Sequence, residues 1–198
     1  MAEGRIPRLD PHAARIAAVD AGIPEFMADL SVFQVLLHNP NVAAALNEML
    51  RRLLWEGTLD ARLRELIIMR LGWSTGSEYE WTQHWRVARQ LGVEEDDLLA
   101  VRDWRASDRF GPVEHAVLAA TDDVVAAGAI SDETWARCAE ALPDPALLVE
   151  LVVAIGNWRL FSSLLRSLEV PLEDGVAPWP PDGRTPASSL HRSPANPC

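Results

Sequence analysis

The sequence predicts an all-α protein, a single domain built as a bundle of about eight helices. Apolar residues recur at spacings of three and four over most of the 198 residues, and this is the period of an amphipathic helix. Proline, glycine and Ser, Thr or Asp residues separate the apolar segments, as they do at the starts and ends of helices. The chain shows no pattern typical of a strand.

The first three predicted helices cover residues 11–21, 23–39 and 40–57. The second has an apolar stripe of four residues, namely Phe26, Leu30, Phe33 and Leu37. The third begins at Pro40 and is closed by Gly57, which are favoured residues at a first helical position and after a last one.

The next two predicted helices, residues 59–73 and 77–91, form an antiparallel pair in contact. Thr58 or Asp60 caps the first of them. Its apolar face consists of Leu63, Leu66, Ile67 and Leu71. The second follows directly after Gly76, so a tight turn joins the pair.

The second half of the chain contains helical patterns at residues 94–104, 112–130, 132–142 and 145–170, with Ser131 as the cap of the third. The last is apolar on nearly all sides up to Ile155, which indicates deep burial or an oligomer contact. Residues 171–198 hold half of the 14 prolines. We therefore expect a helical domain over residues 1–170 and an extended or disordered tail, not packed on the domain, over residues 171–198.

Composition excludes several classes of function. The net charge of −11 argues against a nucleic-acid surface, which needs a basic stripe. All 18 basic residues are arginine, so Schiff-base chemistry, covalent pyridoxal phosphate and a P-loop lysine are impossible. The sequence also lacks a long uninterrupted apolar run and a signal-peptide pattern. We expect a cytoplasmic protein that does not bind a membrane.

The only cysteines are Cys138, inside a helical pattern, and Cys198, the last residue. Their spacing fits neither a redox dithiol nor a zinc site, so we expect two free thiols.

The segment GSEYEWTQHWRVARQLG, residues 76–92, concentrates the residues capable of chemistry. Ser77, Glu80 and His84 lie on one face of a helix that starts here. A carboxylate one turn from an imidazole can orient it and raise its pKa, which suits an acid–base catalyst. The alternative is an ordinary solvated face, since Glu–His pairs at this spacing are common on helices.

The order of features from Phe33 to Leu172 resembles the carboxymuconolactone decarboxylase family, which is related to the alkylhydroperoxidase D-type proteins. The similar stretches are LDARLRELIIMRLGW, GSEYEWTQH and NWRLFSSLLRSLEVPLE. In the peroxidase branch, a glutamate on the first helix precedes Cys-x-x-Cys-x-x-x-His on the second. The resemblance places that glutamate at Glu65, the two cysteines at Ser77 and Glu80, and the histidine at His84.

Without the two thiols, thiol-dependent peroxide reduction is excluded. The resemblance then implies a cofactor-independent lyase or isomerase with Glu65, Glu80 and His84 as the catalytic set. Its substrate would be a small carbonyl compound, lactone or carboxylic acid, and the reaction a decarboxylation, isomerisation, dehydration or cyclisation. His84, held by Glu80, would donate the proton, and Glu65 would share or relay it.

Substrate contacts are expected from Ser77 and from several arginines and tryptophans. A substrate carboxylate needs an arginine, for which Arg64, Arg70 and Arg159 are all candidates. The tryptophans that could line a pocket, or else belong to the core, are Trp73, Trp81, Trp85 and Trp158. A metal is not expected, because the set contains one histidine and no second Glu-x-x-His motif.

Two other interpretations stay open. The chain could be a non-catalytic helical scaffold or a small-ligand binder, or it could be a thiol peroxidase that uses Cys138, which Arg137 accompanies in sequence. The family resemblance also implies a homo-oligomer, either a trimer or a hexamer.

Overall fold

The computed structural model describes residues 4–187 and confirms the all-α fold, with no strand among these residues. Nine α-helices are joined by short turns and two 3-10 segments, Glu25–Asp29 and Val101–Ala106. The helices are α1 (Pro11–Asp20), α2 (Ser31–Leu36), α3 (Pro40–Trp55), α4 (Ala61–Thr75), α5 (Glu78–Gln90), α6 (Glu95–Ala100), α7 (Pro112–Ala127), α8 (Asp132–Ala141) and α9 (Pro145–Leu168).

Side-chain caps start the helices close to the predicted positions. Asp60, and not Thr58, caps α4 by accepting a hydrogen bond from the Leu63 N–H. Ser131 accepts from the Thr134 N–H at the start of α8. Such caps satisfy N–H groups that have no partner inside the helix.

The prediction of one continuous helix over residues 23–39 is wrong. The chain forms the 3-10 segment Glu25–Asp29, breaks at Leu30, whose backbone is extended, and restarts as α2. Phe26 is therefore not on a common buried stripe; it is 59% exposed and packs edge-on against Trp55. The sequence pattern has the right period but does not encode this break.

Helix α4 lies at the centre of the fold, and it packs on α5, α7 and α9. Its buried residues include the predicted apolar face and also the charged Arg64 and Glu65. The turn to α5 depends on Gly76, which is left-handed with φ 69°. At Gly72 a Cβ atom would stand 3.0 Å from the Trp81 backbone nitrogen, so only glycine allows this close antiparallel approach.

Helix α9 is only partly buried. Leu151, Ile155 and Trp158 face the core, whereas Val149 and Val152 are 64% and 43% exposed. Among the described residues, α9 is the one helix long and apolar enough to cross a membrane by length and composition alone, a property that core helices share. The absence of a membrane partner stays a prediction.

The C-terminal tail is packed over residues 171–187, contrary to the prediction. The described part of the tail contains no α-helix. Trp179 is nevertheless only 4% exposed, because its ring packs against the rings of Trp73 and Trp81. The Trp81 indole N–H donates to the Pro180 carbonyl at 2.7 Å. The backbone N–H of Trp179 donates to Thr82 Oγ1 at 3.1 Å.

A second anchor of the tail is Glu173, whose carboxylate accepts a 2.6 Å hydrogen bond from the Tyr79 hydroxyl and one from the Ser31 N–H. Gln83 also donates to Glu173. The tail therefore covers one face of α5, and α5 lies between the tail and α4. Residues 188–198, with Cys198 and His191, lie outside the described residues.

Candidate active site

A buried carboxylate–imidazole pair joins α4 and α5 across the core. Glu65 Oε2 lies 2.7 Å from His84 Nδ1, although the residues are 19 positions apart in sequence. Glu65 is completely buried, and the side chain of His84 is 13% exposed. His84 is thus held mainly by Glu65 and not, as predicted, by Glu80, whose nearest oxygen is 3.5 Å from the other ring nitrogen.

The partners of His84 define its tautomer in this arrangement. The carboxylate of Glu65 can only accept, so Nδ1 carries the hydrogen. The Trp158 indole can only donate, and it donates to His84 Nε2 at 3.3 Å. In the neutral form of the imidazole, Nε2 therefore carries the lone pair and is the basic position. The role of His84 as a proton donor stays a prediction.

Arg64 supports the pair from the side of α4. Its Nε and Nη2 atoms both lie 3.2 Å from Glu65 Oε1, and Nη1 donates weakly to the carbonyls of Leu53 and Leu54. This buried guanidinium gives the Glu65 carboxylate a counter-charge on the side opposite His84. We call Arg64, Glu65, Glu80, His84 and Trp158 the acid–base cluster.

Glu80 is the second carboxylate of the acid–base cluster. Burial, aided by the charge of Glu65 and opposed by His84, raises the pKa of Glu80 to about 7. Burial alone would lower the pKa of His84, but the charge and hydrogen bond of Glu65 outweigh it and raise this pKa. Glu80 therefore exchanges its proton near neutral pH, next to an imidazole whose pKa is raised, and such a pair suits general acid–base chemistry.

These pKa values predict that the protein loses stability as the pH rises. Between about pH 5 and pH 7 the folded protein holds a proton on Glu80 that the unfolded chain has released, because the reference pKa is 4.5. The free energy of unfolding should fall by about 2–3 kcal/mol over this window. The raised pKa of His84 acts in the same direction. Denaturation at fixed ionic strength from pH 5 to 8 measures the effect.

The control for this prediction is a pair of matched variants. Glu80→Gln should flatten the pH dependence, because the amide does not titrate. Glu78→Gln makes the same change at an exposed position of α5 and should leave the wild-type slope. An unchanged slope in Glu80→Gln would show that this carboxyl group is ionised in the folded protein at all these pH values.

Ser77 is fully buried immediately before α5, and its hydroxyl has no hydrogen-bond partner among the described residues. A buried hydroxyl without a partner is unfavourable, and a bound ligand would relieve it. Ser77 shares a helical face with Glu80 and His84. It remains a candidate for contact with substrate.

Of the tryptophans predicted to line a pocket, only Trp158 contacts His84. Trp73, Trp81 and Trp85 stack in sequence with ring centroids 5.2 Å and 5.9 Å apart, and Trp179 completes this tryptophan cluster. Arg102 covers it at 4.7 Å from the Trp73 ring. Trp73 and Trp81 thus contact the tail, and their contact with a substrate stays a prediction. Nothing in the sequence pattern indicated Trp179.

The predicted substrate arginines are engaged elsewhere. Arg70 forms a bidentate salt bridge with the carboxylate of Asp122, with N–O distances of 2.6 Å and 3.1 Å. It also donates hydrogen bonds to the backbone carbonyls of Val101 and Arg102. Arg159 lines a groove of about 730 Å³ with Gly128 and Trp135, on the face of α9 turned away from Trp158. The structure therefore brings neither arginine into contact with the acid–base cluster, and substrate binding by Arg70 stays a prediction.

A thiol site and a metal site find no support in the described residues. Cys138 is buried, its thiol donates to the Ala116 carbonyl, and burial raises its pKa, which disfavours a reactive thiolate. Residues 4–187 contain no group of three or more His, Cys, Asp or Glu side chains placed to hold a metal.

Solved structures show the same fold at low sequence identity. An uncharacterized peroxidase-related protein from Ralstonia eutropha, an alkylhydroperoxidase AhpD core, superposes with a TM-score of 0.71 at 17% identity and covers 90% of this chain and 100% of its own. A protein of unknown function from Agrobacterium tumefaciens gives 0.65 at 20% identity, covering 69% and 94%. The debrominase Bmp8, in complex with 2,3,4-tribromopyrrole, gives 0.64 at 16%, covering 82% and 84%.

Family comparison agrees with the fold. No curated protein sequence matches the chain. Residues 40–123, which include α4, α5 and most of α7, match the carboxymuconolactone decarboxylase family. Residues 40–123 are therefore similar to the carboxymuconolactone decarboxylase family, and the whole chain shares the fold of the AhpD-like structures. In this chain Ser77 and Glu80 stand where the resemblance places a Cys-x-x-Cys pair.

Proposed function

We propose that this protein is a cofactor-independent acid–base enzyme, a lyase or isomerase that moves a proton on a small carbonyl, lactone or carboxylic acid substrate. Decarboxylation, isomerisation, dehydration and cyclisation all belong to this class. The observation that carries the proposal is the 2.7 Å contact of Glu65 with His84 Nδ1, which leaves Nε2 basic beside Glu80. A small-molecule substrate and a cytoplasmic location are parts of the same proposal.

Each residue of the cluster has a role in this chemistry. His84 Nε2 removes a proton from the carbon next to the substrate carbonyl, so that the C–H bond breaks and an N–H bond forms. The electron pair moves onto the carbonyl oxygen, which the protonated carboxyl group of Glu80 stabilises by hydrogen bonding. Return of the proton to another carbon, or loss of a leaving group, completes the reaction. Glu65, neutralised by Arg64, stabilises the imidazolium that forms.

The test is hydrogen exchange, which needs no knowledge of the natural substrate. A panel of small ketones and lactones is incubated with the protein in D₂O, and loss of the α-hydrogen signals is followed by ¹H NMR. The wild-type protein should accelerate the exchange of α-hydrogens in at least one compound. In the presence of His84→Ala, the exchange rate of that compound should equal the rate in buffer without protein. Equal rates for wild type and His84→Ala across the panel would contradict the proposal.

A second proposal concerns assembly, and it fits both the enzyme and a non-catalytic oligomeric scaffold. The outer side of α9 carries an apolar face consisting of Val149, Val152, Val153 and Leu160, which are 38–64% exposed. Gly156 lies between them with open space above it, where another helix could approach closely. We propose that this face joins copies of the chain into a trimer or hexamer.

Light scattering after size-exclusion chromatography should therefore give a mass that is a multiple of 21.9 kDa. Val152→Glu places a charge in the α9 face and should shift the protein towards monomer. Ile16→Glu, at an equally exposed apolar position on α1, is the control and should not. A monomeric wild type at micromolar concentration would contradict this assembly.

A further inference from the structure

We infer that the acid–base cluster acts on substrates whose reacting group is an uncharged carbonyl, and that it discriminates against substrate carboxylates. This inference rests on the proposed function and narrows it to isomerisation, dehydration or cyclisation of neutral carbonyl compounds and lactones. It comes from the charges that the fold brings to His84, and it departs from the arginine-held carboxylate that the sequence predicts.

The first step is that the arginine of the site is already paired. Arg64 directs two nitrogen atoms at one oxygen of Glu65 and its third at two backbone carbonyls. It is 6% exposed, and all three of its guanidinium nitrogens already have protein partners. Among the described residues, it is the only arginine that contacts a member of the acid–base cluster.

The second step is that neither of the other two candidate arginines can replace it. The chain has no lysine, and Arg70 is bound to Asp122. Arg159 points into the groove beside Gly128, on the far face of α9. Within residues 4–187, a carboxylate at His84 would therefore meet no arginine other than Arg64.

The third step is the charge of the cluster itself. The positive charge of Arg64 and the negative charge of Glu65 cancel. When Glu80 and His84 share one proton, the net charge of the whole cluster is therefore zero. The cluster becomes negative only at a pH where Glu80 is ionised and His84 has also lost its proton. A bound carboxylate would add a further negative charge to a site where Glu80 is 5% exposed and Glu65 is fully buried. An uncharged carbonyl adds no charge, and it needs only a hydrogen-bond donor.

The test compares benzamide with benzoate, which have the same size and shape but differ in charge. Binding at pH 8 is followed by the shift of the His84 ring signals in NMR spectra. We expect benzamide to bind and benzoate to bind at least about tenfold more weakly. Benzoate binding at His84 as tight as that of benzamide would overturn the inference and leave the acid–base function untouched.

The variant Glu65→Gln should reverse this preference. It removes the negative charge that balances Arg64, so the affinity for benzoate should rise at least about tenfold relative to the affinity for benzamide. An unchanged ratio in this variant, or a failure of benzamide to shift the His84 signals of wild type, would also overturn the inference. Both readouts are binding measurements, whereas the exchange assay tests the proposed function, so the two ideas can fail separately.

Discussion

Glu65→Gln is expected to slow the proton-transfer reaction by about 10²- to 10⁴-fold, the usual contribution of general acid–base catalysis. Arg64 donates to one side of this residue, so the amide oxygen turns towards Arg64 and the NH₂ group faces His84 Nδ1. A donor there forces the hydrogen onto Nε2, and the basic nitrogen is lost. Exchange of α-hydrogens in D₂O measures the rate, and ¹⁵N NMR of His84 reports the tautomer.

The control for a general effect on folding is the same substitution at a position outside the acid–base cluster. Glu78→Gln lies on the exposed side of α5 and should keep both the rate and the tautomer. Glu65→Gln itself should remain folded, since the amide still accepts from Arg64, with a loss of about 1–3 kcal/mol of stability. A wild-type rate together with a reversed tautomer would show that Nε2 is not the catalytic base.

Trp179→Ala is expected to lower the free energy of unfolding by about 3–5 kcal/mol, as do other removals of a buried tryptophan. The side chain is 4% exposed and packs against both Trp73 and Trp81. Its loss also loosens the neighbouring hydrogen bond from Trp81 to the Pro180 carbonyl. Urea denaturation followed by far-ultraviolet circular dichroism measures the change.

The comparison for Trp179 is Trp55→Ala, because Trp55 is 57% exposed and contacts Phe26 at the surface. This variant should lose no more than about 1 kcal/mol. A chain ending after residue 175 should lose at least as much stability as Trp179→Ala, since it lacks the whole segment over the tryptophan cluster. Full stability of that shortened chain would mean that the tail adds nothing to the fold.

Helical periodicity was sufficient to predict the centre of the fold. The segment of α4 combines an acidic cap, a continuous apolar face and a closing glycine, and each feature acts over a few residues. The approach of Glu65 to His84 follows from two such helices joined by a tight turn. Local signals also failed at one place: nothing near Leu30 in sequence reveals that the chain breaks there, since Ser31 binds the distant Glu173.

Contacts over long sequence distances explain the other differences. Trp179 stands among prolines, a composition typical of unpacked segments. Its burial depends on contacts with Trp73 and Trp81, which come together only after folding. Arg70 sits on a helix beside the site, but its partner Asp122 is 52 residues away. Charge pairing of this kind has no periodicity, so the sequence could not exclude Arg70 as a substrate ligand.

The pairing of Arg64 with Glu65 affects how this chain can change during evolution. An apolar substitution at Glu65 alone would leave a buried guanidinium without its counter-charge, at a cost of about 3–5 kcal/mol. Such a loss approaches the whole stability of many domains. A lineage that no longer needed the reaction would have to replace both neighbours together, so purifying selection on folding alone would preserve Glu65 long after selection on catalysis had ceased.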